Sequence, residues 1–347
     1  MRQLARRWTL AVLGALVGLW LGAPAQAQQA GAPCPEQTAP GRFTFRGLQQ
    51  GSPGTDGIVP AGFVAPQGMP VMHGVDVSKW QRSADFNRVK ACGGSFAYVR
   101  LTAGRRPDLE LEYRSHWSAA RAAGLLVGPY HALTLVDAPG TWTQLTAEQQ
   151  QANLKDNLTS VEQQALLFAE RLREVLLLEQ RSPSLPPNAL GAPYLPIMLA
   201  ATSRPQLQAS VADRRGVSEV YRQTICRFYA VLDADPSFKG QAMGVFSFAF
   251  TYQDYGLAAA ACSMAERPGW IAHHSLNGDS ERREPDLHLG AAIRAMCLKP
   301  DGSNRCLFQQ YTGYGSFASY TENEGLDLNR FYGDAAALQR ILQLGRR

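Results

Sequence analysis

From Met72 onward, short apolar runs alternate with longer amphipathic stretches. Short apolar runs bounded by turn residues are typical of buried strands, whereas apolar residues spaced three and four apart are typical of helices. Strands are predicted at 74–77, 95–101, 126–131, 195–200, 242–247, 269–273 and 306–311. Helices are predicted at 84–91, 109–123, 160–179, 216–231, 253–265 and 334–344. This alternation predicts a parallel, barrel-like α/β domain.

The stretch 160–179 carries the clearest helical signal. Its apolar residues recur at helical spacing, and Ser160 to Gln163 fit the pattern of a capping box that would start the helix there. The whole connection from about 136 to 193 is long for a link between two strands. We expect it to be a helical insertion that covers one rim of the barrel.

The first 27 residues have the features of a secretory signal peptide. Arg2, Arg6 and Arg7 precede an apolar run at 8–21, and small residues stand around Ala27, where cleavage is expected. A membrane anchor is the alternative, but the run is short for a bilayer and lacks a basic flank after it. We therefore expect export to the periplasm or medium, with no membrane span after cleavage.

Two further segments complete the predicted organisation. Residues 28–70 are rich in Gly, Pro and Gln and are expected to be a lead-in, followed by the barrel domain at 71–347. Removing the signal peptide lowers the formal charge from +5 to +2, because it takes away three arginines and no acid. That charge is too small to favour nucleic acid as a partner. No cofactor is expected, and the oligomeric state stays open.

All six cysteines lie after residue 27, at 34, 92, 226, 262, 297 and 306. An even count in an exported chain favours disulfides, although six cysteines allow 15 pairings. Cys297 and Cys306 flank a turn-rich stretch, so a bridge that closes a hairpin is expected between them. Zinc is the weaker alternative, because no Cys-x-x-Cys pair accompanies them.

Several side chains with chemical potential are predicted to lie at or just after strand ends. In barrels of this class, functional residues project from the carboxyl ends of the strands. Such positions are held by Asp76, Arg100, His131, Thr202, Phe248 and His273. A carboxylate at the end of an apolar strand is costly unless it faces a functional opening. A helix N-cap is the alternative for Asp76, and a hydrogen-bonded core residue is the alternative for His131.

The order of several motifs resembles the glycoside hydrolase family 25 lysozymes, which cut peptidoglycan. The resemblance spans roughly residues 73–333 and is carried by Gly74–Gln81, Phe96–Thr102, Tyr113–Gly124, Val127–His131, Gly269–His273, Gln310–Tyr311 and Leu326–Phe331. It implies a TIM-like (β/α)-barrel and hydrolysis of the β-1,4 bond between N-acetylmuramic acid and N-acetylglucosamine. It also implies Asp76 as a catalytic residue, with substrate-binding positions at Arg100, Tyr130, His131, Trp270, Tyr311 and Asp327.

The chain departs from that family at its acidic positions. Family members carry Leu-Asp-x-Glu after a Pro-containing strand start, whereas this chain has Leu199-Ala200-Ala201-Thr202 there, with Ala200 and Thr202 at the two acid positions. A third acid is replaced by Ala103. Neither alanine nor threonine can replace a carboxylic acid as a proton donor. Two functions therefore remain: a lysozyme-like hydrolase, or an inactive relative that binds cell-wall glycan or an envelope protein.

The paired His273 and His274 suggest a metal site only superficially. Adjacent residues on a strand point to opposite faces, so the two rings cannot chelate one ion together. The aromatic residues are better candidates for a sugar-stacking cleft, with core packing as their alternative. For Asp327 the alternatives are orientation of a substrate or water, or capping of a turn.

Overall fold

A computed structural model describes the chain at residues 34, 37–39, 42–43, 45, 70–182, 194–203, 211–272, 292, 294–299, 303–315 and 325–344. The predicted signal peptide at 1–27 lies outside these residues. Ten strands occur within them: β1 (Gln37–Ala39), β2 (Arg42–Phe43), β3 (Val71–Val77), β4 (Gly94–Ala103), β5 (Leu126–Ala132), β6 (Ile197–Ala200), β7 (Met243–Phe248), β8 (Gly269–Ala272), β9 (Cys306–Gly315) and β10 (Leu326–Tyr332).

Eight of these strands, β3 to β10, close into a barrel. From β3 to β9 each strand pairs in parallel with the next one in sequence. Strand β10 fills the gap between β9 and β3 and runs antiparallel to both. The predicted barrel is therefore confirmed, and all seven predicted strands are present. The eighth strand, β10, was not predicted as a strand.

Six α-helices have both ends in the described ranges and surround the barrel; residues 292 and 294–297 are helical as well. The six are α1 (Phe86–Ala91), α2 (Tyr113–Ala122), α3 (Ala147–Gln180), α4 (Val211–Ala234), α5 (Ala249–Asp254) and α6 (Ala335–Leu344). Short 3₁₀ turns lie at Trp142–Gln144, Leu257–Ala259 and Met264–Glu266. None of the helices in these ranges is both long and apolar enough to cross a membrane.

Helix α3 begins well before the predicted start at residue 160. Its capping box is formed by Thr146, whose side chain accepts from the Gln149 backbone, and by the Gln149 side chain in return. The capping box predicted at Ser160 was wrong, because Ser160 lies inside the helix, where its hydroxyl accepts from Gln164 Nε2 at 3.1 Å. The first half of α3 is mostly polar, so apolar periodicity gave no signal for it.

The helix predicted at 253–265 was also wrong in its extent. Helix α5 ends at Asp254, and Gly256 follows with a φ of 56°. A glycine in the left-handed region is a common end to a helix, because it carries no Cβ to clash there. Two 3₁₀ turns replace the rest of the predicted helix.

The strands carry two separate apolar layers. Side chains that point inward fill the barrel, among them Phe96, Tyr98, Met198, Trp270 and Phe308. Side chains on the other face pack between the strands and the surrounding helices, among them Val75, Val99, Leu199, Val245 and Ile271. The period of two along a strand therefore decides which residues can reach the interior of the barrel.

Three disulfides join the six cysteines. The predicted Cys297–Cys306 bridge is confirmed, and the others are Cys226–Cys262 and Cys34–Cys92. The last of these ties residue 34 of the Gly- and Pro-rich lead-in to the end of α1. Within the same lead-in, Phe45 is fully buried and stacks on the His73 ring of β3 at 5.2 Å.

Candidate active site

Asp76 lies one residue before the end of β3, with its side chain inside the barrel. Only 2% of the residue is exposed. Its Oδ2 atom accepts hydrogen bonds from Gln310 Nε2 at 2.9 Å and from Asn329 Nδ2 at 2.7 Å. The N-cap alternative does not hold, because the N-cap of α1 is Asp85. A carboxyl group in this position is held by donors from two other strands, as a buried charge requires.

Asp327 lies directly opposite Asp76 in the ladder between β10 and β3. Directly opposed residues bring their Cβ atoms to about 4.5–5.5 Å. The two carboxyl groups share a hydrogen bond. Asp327 is only partly buried, so it is the more accessible member of the pair. The sequence contained both residues in separate motifs, but their contact depends on the strand that was not predicted.

Burial shifts the pKa of both carboxyl groups upward. Burial raises the pKa of Asp76 to about 6, against the opposing effect of its hydrogen bonds from Asn329 and Gln310. Burial and the adjacent charge of Asp76 raise the pKa of Asp327 well above its usual range. Two carboxyl groups in contact cannot both ionise easily. The proton that the pair retains therefore belongs on Asp327, whose pKa is raised by the charge of Asp76 as well as by burial.

This pair makes the folded state less stable as the pH rises. Unfolded, Asp327 loses its proton near pH 4, whereas the folded protein keeps that proton to a much higher pH. The free energy of unfolding therefore falls by up to about 1.4 kcal/mol per pH unit above pH 4. We expect Asp327→Asn to remove this loss. The variant should gain stability relative to the wild type as the pH rises above about 4, as measured by urea unfolding.

The contribution of the buried histidines to the pH dependence of stability cancels when the variant is compared with the wild type. Burial lowers the pKa of His73 and of His131 to about 4, so both make the folded state more stable as the pH rises. Both proteins carry these histidines, and the difference between them isolates Asp327. The control is Asp156→Asn on the exposed face of α3, an aspartate change far from the pair. A stability gap for Asp327→Asn that stays flat with pH would contradict the shared proton.

Trp270 fixes the side chain that binds Asp76. Its Nε1 donates to Asn329 Oδ1 at 2.9 Å, which leaves the Asn329 amide nitrogen to donate to Asp76. The indole is fully buried and stacks on Tyr98 at 4.6 Å between ring centroids. Tyr98 in turn fits only because residue 128 is glycine: a Cβ there would lie 2.4 Å from the ring. Trp270 thus lies beneath the acid pair, in the core.

Arg100 connects the pair to a carboxylate that the sequence did not single out. Its Nε donates to Glu110 Oε1 at 2.7 Å, and Glu110 is only 3% exposed. Glu110 Oε2 accepts from the Lys79 backbone at 2.8 Å. Burial raises the pKa of Glu110, and Arg100 opposes that shift. In the sequence, Glu110 falls among other charged residues at the start of a predicted helix, where a solvated side chain is the ordinary expectation.

Tyr130 forms the inner wall beside the pair. It pairs with Arg100 across the β4–β5 ladder, its ring packs edge-on against Trp270 at 5.7 Å, and it is 5% exposed. Burial raises its pKa well above the usual range, and the charges of Arg100 and Asp76 both act on it. The structure therefore brings together four of the predicted site residues around Asp76: Arg100, Tyr130, Trp270 and Asp327.

His131 and Tyr311 lie on the opposite face of their strands, toward the helices. His131 Nδ1 accepts from Thr102 Oγ1 at 2.7 Å, and its Nε2 donates to Gln164 Oε1 at 3.0 Å, since that oxygen also accepts from the Thr134 backbone. The ring is fully buried, with a pKa lowered to about 4 by burial. Tyr311 is likewise fully buried in the outer layer. The structure does not bring either residue to the acid pair, because strand alternation turns them away.

Three positions where the resemblance places acidic residues carry none in this chain. Ala200 ends β6 and belongs to the inner apolar layer, where it is 2% exposed. Thr202 follows two residues later and is partly buried. Ala103 ends β4. An inward position beside Tyr130 is therefore filled by a methyl group, and the described acids of this region are Asp76, Asp327 and Glu110.

No metal site is found in the described part of the chain. No group of three or more His, Cys, Asp or Glu side chains there could hold a metal ion. His273 and His274 lie outside the described residues. The chemistry that this arrangement can perform is proton transfer, because a protonated carboxyl beside an ionised one can give up its proton to a substrate.

Comparison with protein-family models matches residues 75–169 to the family described as Glycosyl hydrolases family 25. Among curated proteins, Lysozyme M1 of Streptomyces globisporus is 34% identical over 68 residues, or 20% of this chain. The chain spans about a quarter of that protein, 23% of its length.

Three solved structures align with the chain along most of its length. A lysozyme from Streptomyces coelicolor aligns with a TM-score of 0.45 and 20% identity, over 78% of this chain and 97% of that one. A muramidase from Acremonium alcalophilum aligns with a TM-score of 0.46 and 18% identity, over 78% and 99%. A family 25 glycosyl hydrolase from Bacillus anthracis aligns with a TM-score of 0.45 and 16% identity, over 79% and 94%.

Proposed function

We propose that the chain is a member of glycosyl hydrolases family 25, whose model matches residues 75–169, and that it is an exported, lysozyme-like hydrolase of peptidoglycan. The bond it would cut is the β-1,4 link between N-acetylmuramic acid and N-acetylglucosamine. The observation that carries the proposal is the Asp76–Asp327 pair, which holds one proton at the mouth of the barrel. Such a pair provides a general acid at neutral pH even though Ala200 and Thr202 provide none.

Asp327 is the acid in this proposal. It is the more accessible carboxyl, and its pKa is raised by burial and by Asp76, so it carries a proton where an ordinary aspartate would not. As the bond to the sugar C1 breaks, the proton passes to the glycosidic oxygen, and the leaving N-acetylglucosamine departs as an alcohol. Asp76 remains ionised and stabilises the positive charge that develops at C1.

The contact between the two carboxyl groups limits the mechanism. Two-carboxylate glycosidases place these groups about 5–5.5 Å apart when they retain configuration and about 6.5–9.5 Å apart when they invert it. Hydrogen-bonded carboxyl oxygens are closer, at about 2.5–3.0 Å, so the pair cannot lie on opposite sides of the bond. The 2-acetamido oxygen of the muramic acid can instead attack C1, as in substrate-assisted glycosidases. Water then opens that intermediate and returns a proton to Asp327.

Arg100 and Tyr130 are the proposed substrate-binding residues. Arg100 uses Nε for Glu110, which leaves its other guanidinium donors for sugar hydroxyl or carbonyl oxygens. The Tyr130 hydroxyl stays protonated at neutral pH because its pKa is raised. Trp270 acts through Asn329 on Asp76 and is a positioning residue.

Export is part of the same proposal. The signal-like segment at 1–27 and three disulfides fit an oxidising compartment, where peptidoglycan is also accessible. The lead-in at 28–70 and the insertion at about 136–193 complete the proposed organisation of the exported protein.

Binding without cleavage is the second candidate. It is favoured by Ala200 and Thr202, which stand where the resemblance places Asp-x-Glu. In that case the barrel would hold a glycan strand, or an envelope protein, with no turnover.

One experiment separates the two functions. Purified peptidoglycan is incubated with the protein, and both co-sedimentation and new reducing ends in released muropeptides are measured. Hydrolysis predicts new muramic acid reducing ends that increase with time. Co-sedimentation without new reducing ends would favour the binding protein. The absence of both co-sedimentation and reducing ends would contradict a peptidoglycan function.

A further inference from the structure

The turn that follows Asp76 presents an exposed tryptophan. Trp80 comes directly after β3 and is 54% exposed. It is the only aromatic residue among the large apolar side chains exposed in the described part of the chain; the others are Val71, Leu111, Leu166 and Leu177. The ammonium group of Lys79 lies 4.6 Å from the centroid of its ring. More than half of Trp80 therefore stays open to solvent beside a cation.

Hydrogen bonds within the turn fix its backbone. The side-chain oxygen of Gln81 accepts from the Ser78 backbone at 2.9 Å, and the Gln81 backbone donates to the Ser78 carbonyl at 3.1 Å. Ser78 and Gln81 are each 5% exposed. The exposed ring is thus carried by a buried, well-bonded support, which is what a preorganised binding surface requires.

Two further bonds attach the turn to the walls of the candidate active site. The Lys79 backbone donates to Glu110, which also binds Arg100. The Gln81 side chain donates to the Gly325 carbonyl at 3.2 Å, two residues before Asp327. The turn is therefore fixed to the strands that supply both Arg100 and Asp327, and a glycan in the barrel mouth would extend toward Trp80.

The charge of Lys79 acts on Asp108 and Glu110 without forming an ion pair with either of them in the described ranges. None of the ion pairs there includes Lys79. The nearby acids have other partners: Asp108 pairs with Arg106 at 2.7 Å, and Glu110 pairs with Arg100 at 2.7 Å. A cation in this position attracts an anionic group on a ligand.

We infer that Lys79 and Trp80 form a subsite for a sugar that carries a carboxylate. This inference rests on the proposed function and names the unit of the glycan that the turn binds. The apolar face of a sugar ring packs on the indole, and the ammonium group pairs with the carboxylate. In peptidoglycan, N-acetylmuramic acid has such a group on its lactyl ether, whereas N-acetylglucosamine has none.

Binding of two soluble glycans tests the subsite. The first contains muramic acid with its free lactyl carboxylate, and the second is a neutral N-acetylglucosamine oligomer of the same length. All proteins carry Asp327→Asn so that cleavage is slow compared with the binding measurement, and affinity is measured by calorimetry. We expect Trp80→Ala to weaken both glycans about tenfold, a loss of about 1.4 kcal/mol. Lys79→Met should weaken only the carboxylated glycan, by about fivefold, and this loss should shrink at high salt.

Leu166→Ala provides the control, because Leu166 is 60% exposed but lies on α3 rather than in the turn. It should bind both glycans as tightly as the parent protein, which carries Asp327→Asn alone. Circular dichroism of each variant establishes that it is folded. If the parent binds glycan and Trp80→Ala binds it equally well, the subsite is wrong while the proposed function stands. If Lys79→Met weakens both glycans alike, the assignment to a carboxylated sugar is wrong. Failure of the parent to bind either glycan overturns both proposals.

Discussion

Asp327→Asn is expected to lower kcat for peptidoglycan by about 10²- to 10⁴-fold at every pH, because an amide cannot donate the proton that the leaving group needs. Asp76→Asn should act differently. Without the neighbouring charge, the pKa of Asp327 falls although burial still raises it, so a larger fraction of Asp327 is ionised at neutral pH than in the wild type. The Asp76→Asn variant should therefore lose activity at neutral pH and recover part of it as the pH is lowered.

The pH profile of the wild type completes this test. Activity needs an ionised Asp76 and a protonated Asp327, so it should fall below about pH 6 and fall again where Asp327 loses its proton. Rates of reducing-end release across this range measure both limbs. Asp156→Asn controls for an aspartate change at an exposed site. Equal losses in Asp76→Asn and Asp327→Asn at all pH values would contradict the division of roles between the two residues.

Restoring the absent acids is expected to have the second large effect. The double variant Ala200→Asp, Thr202→Glu places carboxyl groups at the two positions where the resemblance has Asp-x-Glu. A glutamic acid positioned as a second proton donor is worth about 10²- to 10⁴-fold in rate. We expect the variant to release reducing ends at least about 10²-fold faster than the wild type.

A second variant that leaves position 200 unchanged avoids the cost in stability of an aspartate there. Ala200 is 2% exposed in the inner apolar layer, so an aspartate there costs stability unless it finds donors. Thr202→Glu alone changes only a partly buried residue and should give a smaller gain in the same direction. A folded Thr202→Glu protein that is no faster than the wild type would contradict the expected position of the acid. If the wild type has no measurable activity and the variant is active, the result would instead favour binding as the natural function.

The sequence predicted the parts of the fold that have local signals. Seven barrel strands were recognisable because each is a compact apolar run, and the Cys297–Cys306 bridge was recognisable because a turn-rich stretch lies between its ends. The first half of α3 was not predicted, because residues such as Asn153 and Asn157 are buried polar residues, which a search for apolar periodicity does not count. Local composition therefore located the helix but not its beginning.

The candidate site was harder to predict, because its central contact is not local. Asp76 and Asp327 were each noted in the sequence, but nothing near either residue indicates that they face each other. Their contact depends on the antiparallel register of β10, and Asn329 of that strand is 253 residues from Asp76. Glu110 was missed for a related reason: its burial comes from Arg100 and the Lys79 backbone, partners that only the folded chain brings to it.

The position of β10 has a consequence for folding. Among the described barrel strands, the two that supply the acid pair are the first and the last in sequence, so the pair exists only after the barrel has closed. A partly folded chain that lacks β10 has an Asp76 without its donor Asn329 and without the charge that shares its proton. Contacts this distant in sequence form late and slowly. The proposed hydrolase would therefore be inert while it is incomplete, and would gain its acid only in the step that also completes the fold.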